Sequence, residues 1–237
     1  MFHGDEYSLE MAQARAQASS AFLAKVFNWM AAGLALTGIT ALAVVQSAAA
    51  IRFIFGNPFV FYGLIIGELG MVLYLSARVA KMRAVTATGL FLGYAVLNGV
   101  TLSSILLLYT GSSIAATFFV TAGMFGAMAV YGAVTKKDLS SWGSFLFMGL
   151  IGVVIAGLVN LFLQSPMVSW VMSGIGVIVF TGLTAYDVQK IRYLGAGAMM
   201  GDGEAGLRKG AILGALTLYL DFVNLFLMLL RFLGDRR

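Results

Sequence analysis

Three acidic residues lie within or at the rim of long apolar runs, namely Glu68, Asp187 and Asp221. Asp221 is the most unusual of them, because it stands in the nearly uninterrupted apolar stretch "TLYLDFVNLFLMLLRFLG", residues 217–234. A carboxylate in hydrocarbon is costly, so it normally persists only for a functional reason. The sequence therefore predicts that whatever chemistry the chain performs involves these three acids.

Two of the acids belong to polar stripes with helical spacing. The stripe residues are Thr217, Asp221 and Asn224 in the last apolar run and Thr181, Thr184 and Asp187 in the run before it. Spacings of three and four place the members of each stripe on one helical face. Two facing stripes would form a hydrated seam. The alternatives are a protonated Asp221 that only hydrogen bonds a neighbouring helix, and an Asp187 that is an ordinary interfacial residue close to Lys190.

The composition defines the class of protein. Of 237 residues, 60% are hydrophobic and only 11% are charged, and the mean hydropathy is +0.94, whereas about a quarter of a soluble domain is charged. We therefore expect an integral membrane protein in contact with lipid. The chain has no cysteine and only one histidine, His3, which excludes thiolate and histidine-cluster metal sites, and we expect no permanently bound cofactor. The net charge of +5 comes from basic residues that flank apolar runs, so nucleic-acid binding is not expected.

Seven runs are long enough to cross about 30 Å of hydrocarbon as helices. They cover residues 22–46, 58–77, 85–108, 112–134, 143–163, 168–188 and 210–231. The runs are continuous and do not alternate, which excludes a β-barrel. The predicted fold is an all-α polytopic membrane protein with a cytoplasmic segment 1–21, a transmembrane domain 22–234 and a short tail 235–237. Residues 1–20 lack the features of a signal peptide.

Basic residues in the connections predict the orientation. Seven spans place 11 lysines and arginines on the side of the N-terminus and 4 on the other side, so the N-terminus should be cytoplasmic. The arginine-rich tail "RFLGDRR" would then face outward. It would face inward only if the last segment were re-entrant.

Glycines recur in patterns that favour close helix packing. Small residues stand four apart at Gly63/Gly67 and Gly89/Gly93, a spacing that lets backbones approach each other in a membrane. The glycine-rich segment 195–206 has no preceding strand and no P-loop Lys-Ser/Thr, so we interpret it as a flexible cytoplasmic loop within the 189–209 connection.

Known catalytic motifs are missing from the sequence, and we expect the protein not to be an enzyme. It has no metalloprotease spacing and no Gly-x-Ser-x-Gly elbow, and the serines at 102–104 lack a histidine base. Asp187 and Asp221 on adjacent helices are superficially like an aspartyl intramembrane protease. However, that class carries Gly-x-Gly-Asp, whereas Asp221 lies in "LYLDF".

Three stretches resemble the transmembrane Bax inhibitor motif family, especially its bacterial members. They are "TLSSILLLYTGSSIAATFFVTAGMFGAMAVYGAVTKKDLS" at 101–140, "GLTAYDVQKI" at 182–191 and "GALTLYLDFVNLFLMLLRFLG" at 214–234. The last two are specific, since each fixes an aspartate in a characteristic aromatic and apolar setting. The resemblance covers about a third of the chain, and the number and order of the other spans agree with it.

The resemblance implies a seven-helix bundle in which the last helix is central and which acts as a proton-sensitive calcium leak pathway. It assigns Asp187 and Asp221 to the pH sensor, with a calcium contact, and makes Arg78 the candidate for an interacting arginine. It also places Glu68 on the cation path, where Thr184, Thr217 and Asn224 are further candidates. Two carboxylates in contact at low dielectric cannot both ionise cheaply, so such a pair shares one proton and titrates as a unit.

The resemblance leaves a second function open, since some family members modulate membrane proteases or other membrane partners and do not conduct. No mitochondrial or secretory targeting segment is evident in the sequence, so we expect a bacterial inner-membrane location. One geometric difficulty arises from the sequence. Counting from Lys190 and from Lys209 places Asp187 about 5 Å and Asp221 about 18 Å inside the boundary, so one of the two helices must shift for the acids to meet.

Overall fold

The computed structural model of the chain describes residues 3–198 and 203–237, and helices dominate both parts. The elements are α1 His3–Val45, α2 Ala48–Phe55, α3 Pro58–Arg78, α4 Ala84–Leu108, α5 Gly111–Val134, α6 Ser140–Leu163, α7 Pro166–Ala198 and α8 Gly203–Leu233, with a 3-10 turn at Val79–Lys81. Seven of the helices, all except α2, are long and apolar enough to cross a membrane. The prediction of an all-α polytopic membrane protein is confirmed.

The helix boundaries agree with the predicted spans in the middle of the chain and differ at its ends. The first helix begins at His3, far ahead of the apolar run. Short α2 was not predicted; it begins where the Ser47 side chain accepts a hydrogen bond from Ala50 N at 3.2 Å, which is the usual role of a serine N-cap.

The predicted 189–209 loop is wrong in extent. Helix α7 continues to Ala198 and α8 begins at Gly203, so most of the predicted connection is helical. Of the segment interpreted as a flexible loop, residues 199–202 lie outside the described residues. Polar residues and glycines mark the end of an apolar run in the sequence. They do not have to end the helix itself, which continues through them at the end of α7 and at the beginning of α8.

Helix α8 is the centre of the bundle. In its most apolar stretch 67% of the residues are buried, against 6 to 39% in the other six spans. It contacts α1, α4, α5 and α7, and side chains such as Leu218, Tyr219 and Leu225 are fully enclosed. The expected central position of the last helix is therefore confirmed, and any polar residue on α8 is surrounded by protein.

The close helix contacts involve other glycines than the pairs that the sequence suggested. A Cβ atom at Gly63, Gly89 or Gly93 would meet no atom within 4 Å, so these glycines are not packing sites and that prediction is wrong. A Cβ at Gly132 of α5 would instead overlap the backbone of Ala185 in α7. Gly132 has no small residue four positions away, so the spacing rule did not single it out, and only the tertiary arrangement decides which helical face has a neighbour.

The C-terminal tail is fixed to the connection between α4 and α5. Thr110 N donates to Asp235 O at 3.1 Å and Arg237 N donates to Leu108 O at 3.0 Å. Asp235 N also donates to Ser113 Oγ at 3.0 Å. The last helix therefore traverses the bundle completely, as preferred above, and the re-entrant alternative is excluded.

Candidate functional site: a buried aspartate pair between two cavities

Asp221 is enclosed in the centre of the bundle. Its side chain is only 5% exposed, and Leu218, Phe222 and Leu225 around it on α8 are buried as well. One carboxyl oxygen, Oδ2, is buried without a hydrogen-bond partner among the described residues. Because buried polar atoms are nearly always partnered, an orphaned carboxyl oxygen requires an explanation such as a proton, a water or an ion.

Asp187 of α7 is the neighbour of Asp221. Both residues line the same cavity, and the two carboxyl groups are close enough for the charge of each to act on the other. Ionised carboxylates can only accept hydrogen bonds, so a bond between the two groups requires one proton on the pair. The arrangement is therefore able to take up and release a proton as a unit.

The antiparallel packing of α7 and α8 explains why the two acids meet although their counted depths differ. Gly214 packs against Ile191, and Gly176 packs against Met228. This register places Asp187 about one turn from Asp221 along the axes. Side chains on a helix lean toward its N-terminus. In two antiparallel helices, Asp187 and Asp221 therefore lean toward each other along the bundle, which closes the gap.

Two cavities reach the pair. The loop-side cavity, about 610 Å³, lies at the end of the bundle near the α7–α8 connection; its lining includes Phe22, Val79, Asp187, Lys190, Lys209 and Thr217. The acid cavity, about 490 Å³, lies between α6, α7 and α8; its lining includes Ser144, Tyr186, Asp187, Thr217, Asp221 and Asn224. Asp187, Lys190 and Thr217 line both cavities and thus form the partition between them.

The remaining residues of the predicted stripes take different positions. Thr217 and Asn224 line the acid cavity with Asp221. Thr184 is fully buried, and its hydroxyl donates to Phe180 O at 2.8 Å, so its hydroxyl is used within α7 itself. The acid cavity is thus lined by all three residues of the polar stripe on α8. Of the polar stripe on α7, only Asp187 lines it.

A lysine, and not Arg78, is the cation next to the pair. Lys190 lines both cavities and its charge acts on Asp187. Arg78 is exposed at the end of α3, although the following residues Val79 and Ala80 line the loop-side cavity. The sequence analysis placed Lys190 close to Asp187, but it used the lysine only as a marker of the membrane boundary and gave it no part in the site.

Glu68 lies in a separate polar network. Its Oε1 accepts a hydrogen bond from Thr101 Oγ1 at 2.6 Å, and its carboxyl group also interacts with Asn98. Tyr219 Oη donates to Asn98 Oδ1 at 3.1 Å and is 2.7 Å from Thr37 Oγ1. The network joins α1, α3, α4 and α8.

Sequence reasoning identified Glu68 but missed its partners. Asn98 was the available signal, because it is a lone amide within the apolar run of α4. Tyr219 is two residues from Asp221 and hence on nearly the opposite face of α8. The central helix therefore presents one polar site on each side, and Glu68 belongs to the one that does not contain the aspartate pair.

The site offers few metal ligands. Within residues 3–198 and 203–237 there is no group of three or more histidine, aspartate or glutamate residues that could hold a metal ion. Calcium is normally bound by six to eight oxygen atoms. The two carboxyl groups, with Thr217 and Asn224 nearby, suit a passing contact with a cation and not a closed binding site.

A bundle of long apolar helices with two neighbouring carboxyl groups, one on the central helix α8 and one on α7, is the class of membrane protein that the fold and the site define. Residues 19–237 match the family described as "Inhibitor of apoptosis-promoting Bax1", and the chain belongs to that family. The expected family relationship is thereby confirmed.

Similar proteins occur in distant bacteria. "Inner membrane protein YbhL" of Escherichia coli (strain K12) is 53% identical over 216 residues, which cover 91% of this chain and 92% of that protein. An "Uncharacterized protein" of Borreliella burgdorferi is 47% identical over the same shares of the two chains. "Uncharacterized membrane protein SpyM3_0260" of Streptococcus pyogenes is 37% identical, covering 90% of this chain and 92% of that protein.

Proposed function

We propose that the protein is a pH-sensitive leak pathway for calcium or a related cation, gated by the pair Asp187 and Asp221. The observation that carries this proposal is the position of the pair. The two carboxyl groups are neighbours inside the bundle, one oxygen of Asp221 has no partner, and Asp187 separates two cavities.

The physical role of the pair follows from its charge. With one proton shared, the two carboxyl groups can hydrogen bond and hold α7 against α8. Without that proton they are two like charges in a low-dielectric setting, which repel each other. Helix packing around the partition between the two cavities then depends on proton concentration. The protonation state of the pair also determines its negative charge, and hence how strongly it attracts a cation that passes from one cavity to the other.

The location and orientation are part of the proposal. The E. coli relative carries the name inner membrane protein, and we place this chain in a bacterial inner membrane with its N-terminus in the cytoplasm. The loop-side cavity would then open toward the cytoplasm. We further propose that the protein is not an enzyme, since two carboxyl groups with a lysine beside them lack the Gly-x-Gly-Asp setting of the aspartyl proteases considered above.

The proposal is tested by reconstituting the purified chain alone into liposomes loaded with a calcium indicator. Calcium flux that depends on the pH of the medium is the expected result. If the same liposomes remain tight to calcium at every pH, the leak is absent. A non-conducting protein that modulates a membrane protease or another membrane partner would then be the better account.

A further inference from the structure

The loop-side cavity carries two ammonium groups, one from α7 and one from α8. Lys190 belongs to α7 and Lys209 to α8, and both line this cavity. Lys209 Nζ donates to Ala80 O at 2.9 Å, and this bond uses one of the three donors of an ammonium group. Lys190 Nζ lies 5.8 Å from the centre of the Tyr186 ring, a distance that suits a cation–π contact. Both lysines therefore keep donors for an anion.

The walls of the cavity are apolar. Phe22, Val79 and Ile191 line it and are each no more than 7% exposed. Along α8 the cavity extends from Gly206 to Thr217, which is roughly 16 Å of helix. This depth exceeds a phosphate group and leaves room for the beginning of a hydrocarbon chain.

The rim of the cavity has the composition of a membrane interface. Tyr193 and Leu194 line it and are 59% and 58% exposed. An exposed tyrosine beside basic residues is typical of the headgroup level of a bilayer. Lys81, Arg83 and Arg208 are exposed at the same end of the bundle, so this end is positively charged beyond the cavity itself.

We propose that the loop-side cavity binds an anionic phospholipid, whose headgroup lies along the wall that carries Lys209 and Lys190 and whose first acyl segment lies against the apolar walls. In the register given above the two lysines are about 9 Å apart along the helix axes, so the headgroup as a whole, and not the phosphate alone, meets both charges. Basic pockets between membrane helices recognise anionic headgroups in this way. An ionised Asp187 at the inner end of the cavity repels a phosphate, which keeps the phosphate nearer to Lys209. The apolar walls distinguish a lipid phosphate from a free one, because only the lipid fills them.

Native mass spectrometry of the full chain in detergent tests this proposal, with phosphatidylglycerol and phosphatidylcholine as probes. We expect the wild-type chain to retain one phosphatidylglycerol in preference to phosphatidylcholine. Each lysine contributes about a fivefold gain in binding an anionic lipid. The double variant K190Q/K209Q should therefore lose the preference by on the order of twentyfold, whereas K190R/K209R, which keeps both charges, should retain most of it.

The matched control is K136Q/K137Q, which removes two exposed lysines of the α5–α6 connection that do not line the cavity. This variant should bind phosphatidylglycerol like the wild type. The proposal is overturned if K190Q/K209Q retains the wild-type preference, or if K136Q/K137Q loses it equally, which would indicate a diffuse charge effect. It is also overturned if inorganic phosphate at millimolar concentration displaces the lipid, since the site would then recognise the anion alone.

Discussion

At the scale of single residues, the two faces of α8 have different chemistry. Asp221 faces Asp187 and the acid cavity, where protonation changes the charge of the site. Tyr219 faces the opposite network with Asn98 and Thr37, and its ring packs edge-on against Phe91 and Tyr94. Both side chains are buried, but Asp221 lies beside a second carboxyl group, that of Asp187, whereas Tyr219 is hydrogen bonded to an amide and a hydroxyl group.

The aspartate pair should control the pH dependence of calcium flux. Asn has nearly the same size as Asp and still forms hydrogen bonds, but it does not titrate. Asp221→Asn and Asp187→Asn should each remove most of the pH dependence while the protein stays folded. Because a coupled pair acts as one unit, the double variant should add little to either single change.

The measurement is calcium flux into dye-loaded liposomes over about pH 6 to 8, where a shared carboxyl proton is able to titrate. Asp138→Asn is the control, since Asp138 is an exposed acid in the α5–α6 connection. Hydrogen bonds from Ser140 lower the pKa of Asp138, so it stays ionised in this range. If both single variants of the pair keep the wild-type profile, the paired-acid mechanism is wrong, and Asp221 is a structural residue.

Tyr219 should stabilise the bundle without controlling its pH response. Tyr219→Phe removes the hydroxyl group between Asn98 and Thr37 and leaves a buried amide oxygen unpaired, at a cost of about 1 to 3 kcal/mol. Thermal unfolding of the detergent-purified chain measures this loss. Tyr74→Phe is the control, since Tyr74 is exposed to lipid. A pH profile of flux that shifted in Tyr219→Phe would show that the two faces of α8 are coupled, contrary to this expectation.

At the scale of the elements, close backbone approach holds α7 in place. Gly132 of α5 lies directly against the backbone of Ala185, two residues from Asp187. Gln189 of α7 accepts a hydrogen bond from Leu139 N at 2.9 Å and donates one to Lys137 O at 2.8 Å. Helix α7 is thereby fixed both to α5 and to the connection that leads into α6, and the position of Asp187 depends on these contacts.

A methyl group at Gly132 should destabilise the protein. Gly132→Ala would force α5 and α7 apart, and such overpacking costs about 1 to 3 kcal/mol. Gly63→Ala is the matched control, because α3 is helical there and a Cβ meets no neighbour. Thermal unfolding should show a lower midpoint for Gly132→Ala and an unchanged or higher midpoint for Gly63→Ala. Equal midpoints in the two variants would mean that α5 and α7 do not approach as closely as described.

At the scale of the whole molecule, the bundle has two ends of different charge. The connections at 79–83 and 135–139 lie at one end together with the loop-side cavity, and they carry several lysines and arginines. The other end carries α2, the α4–α5 connection and the attached C-terminal tail. The beginning of α1 and the C-terminal tail therefore lie at opposite ends of the bundle.

The basic end should face the cytoplasm. Single cysteines at Ser141 and Gly201 should resist an impermeant thiol reagent in intact cells, whereas a cysteine at exposed Ala49 of α2 should react. The natural chain contains no cysteine, so labelling reports only the introduced residue. Ready labelling at Ser141 or Gly201, with protection at Ala49, would reverse the orientation.

The sequence by itself determined the membrane class, the number of spans and the acidic residues within the apolar runs, whereas the family resemblance implied that Asp187 and Asp221 form a pair. Composition and run length suffice for the first two, because helices are the only structures that satisfy every backbone group of such runs in lipid. The acids were identifiable because a charge in an apolar run is conspicuous. Asp221 and Glu68 were recognised as candidates by this sign. Asn98 and Tyr219 were not, because uncharged polar side chains are less costly to bury and do not stand out in an apolar run.

Only the tertiary structure decided which of these residues meet. Spacing along one helix defines a face but not the neighbour of that face, so it could not show that Glu68 lies with Thr101, that Gly63 has no packing partner, or that Lys190 and not Arg78 stands beside Asp187. Depth counted from the lysines also failed for the pair, since Lys190 and Lys209 lie about 9 Å apart along the axes in the observed register of α7 and α8 and do not mark one common level. Asp187 and Asp221 meet because two antiparallel helices pack in one register, and that register depends on contacts between residues far apart in the chain.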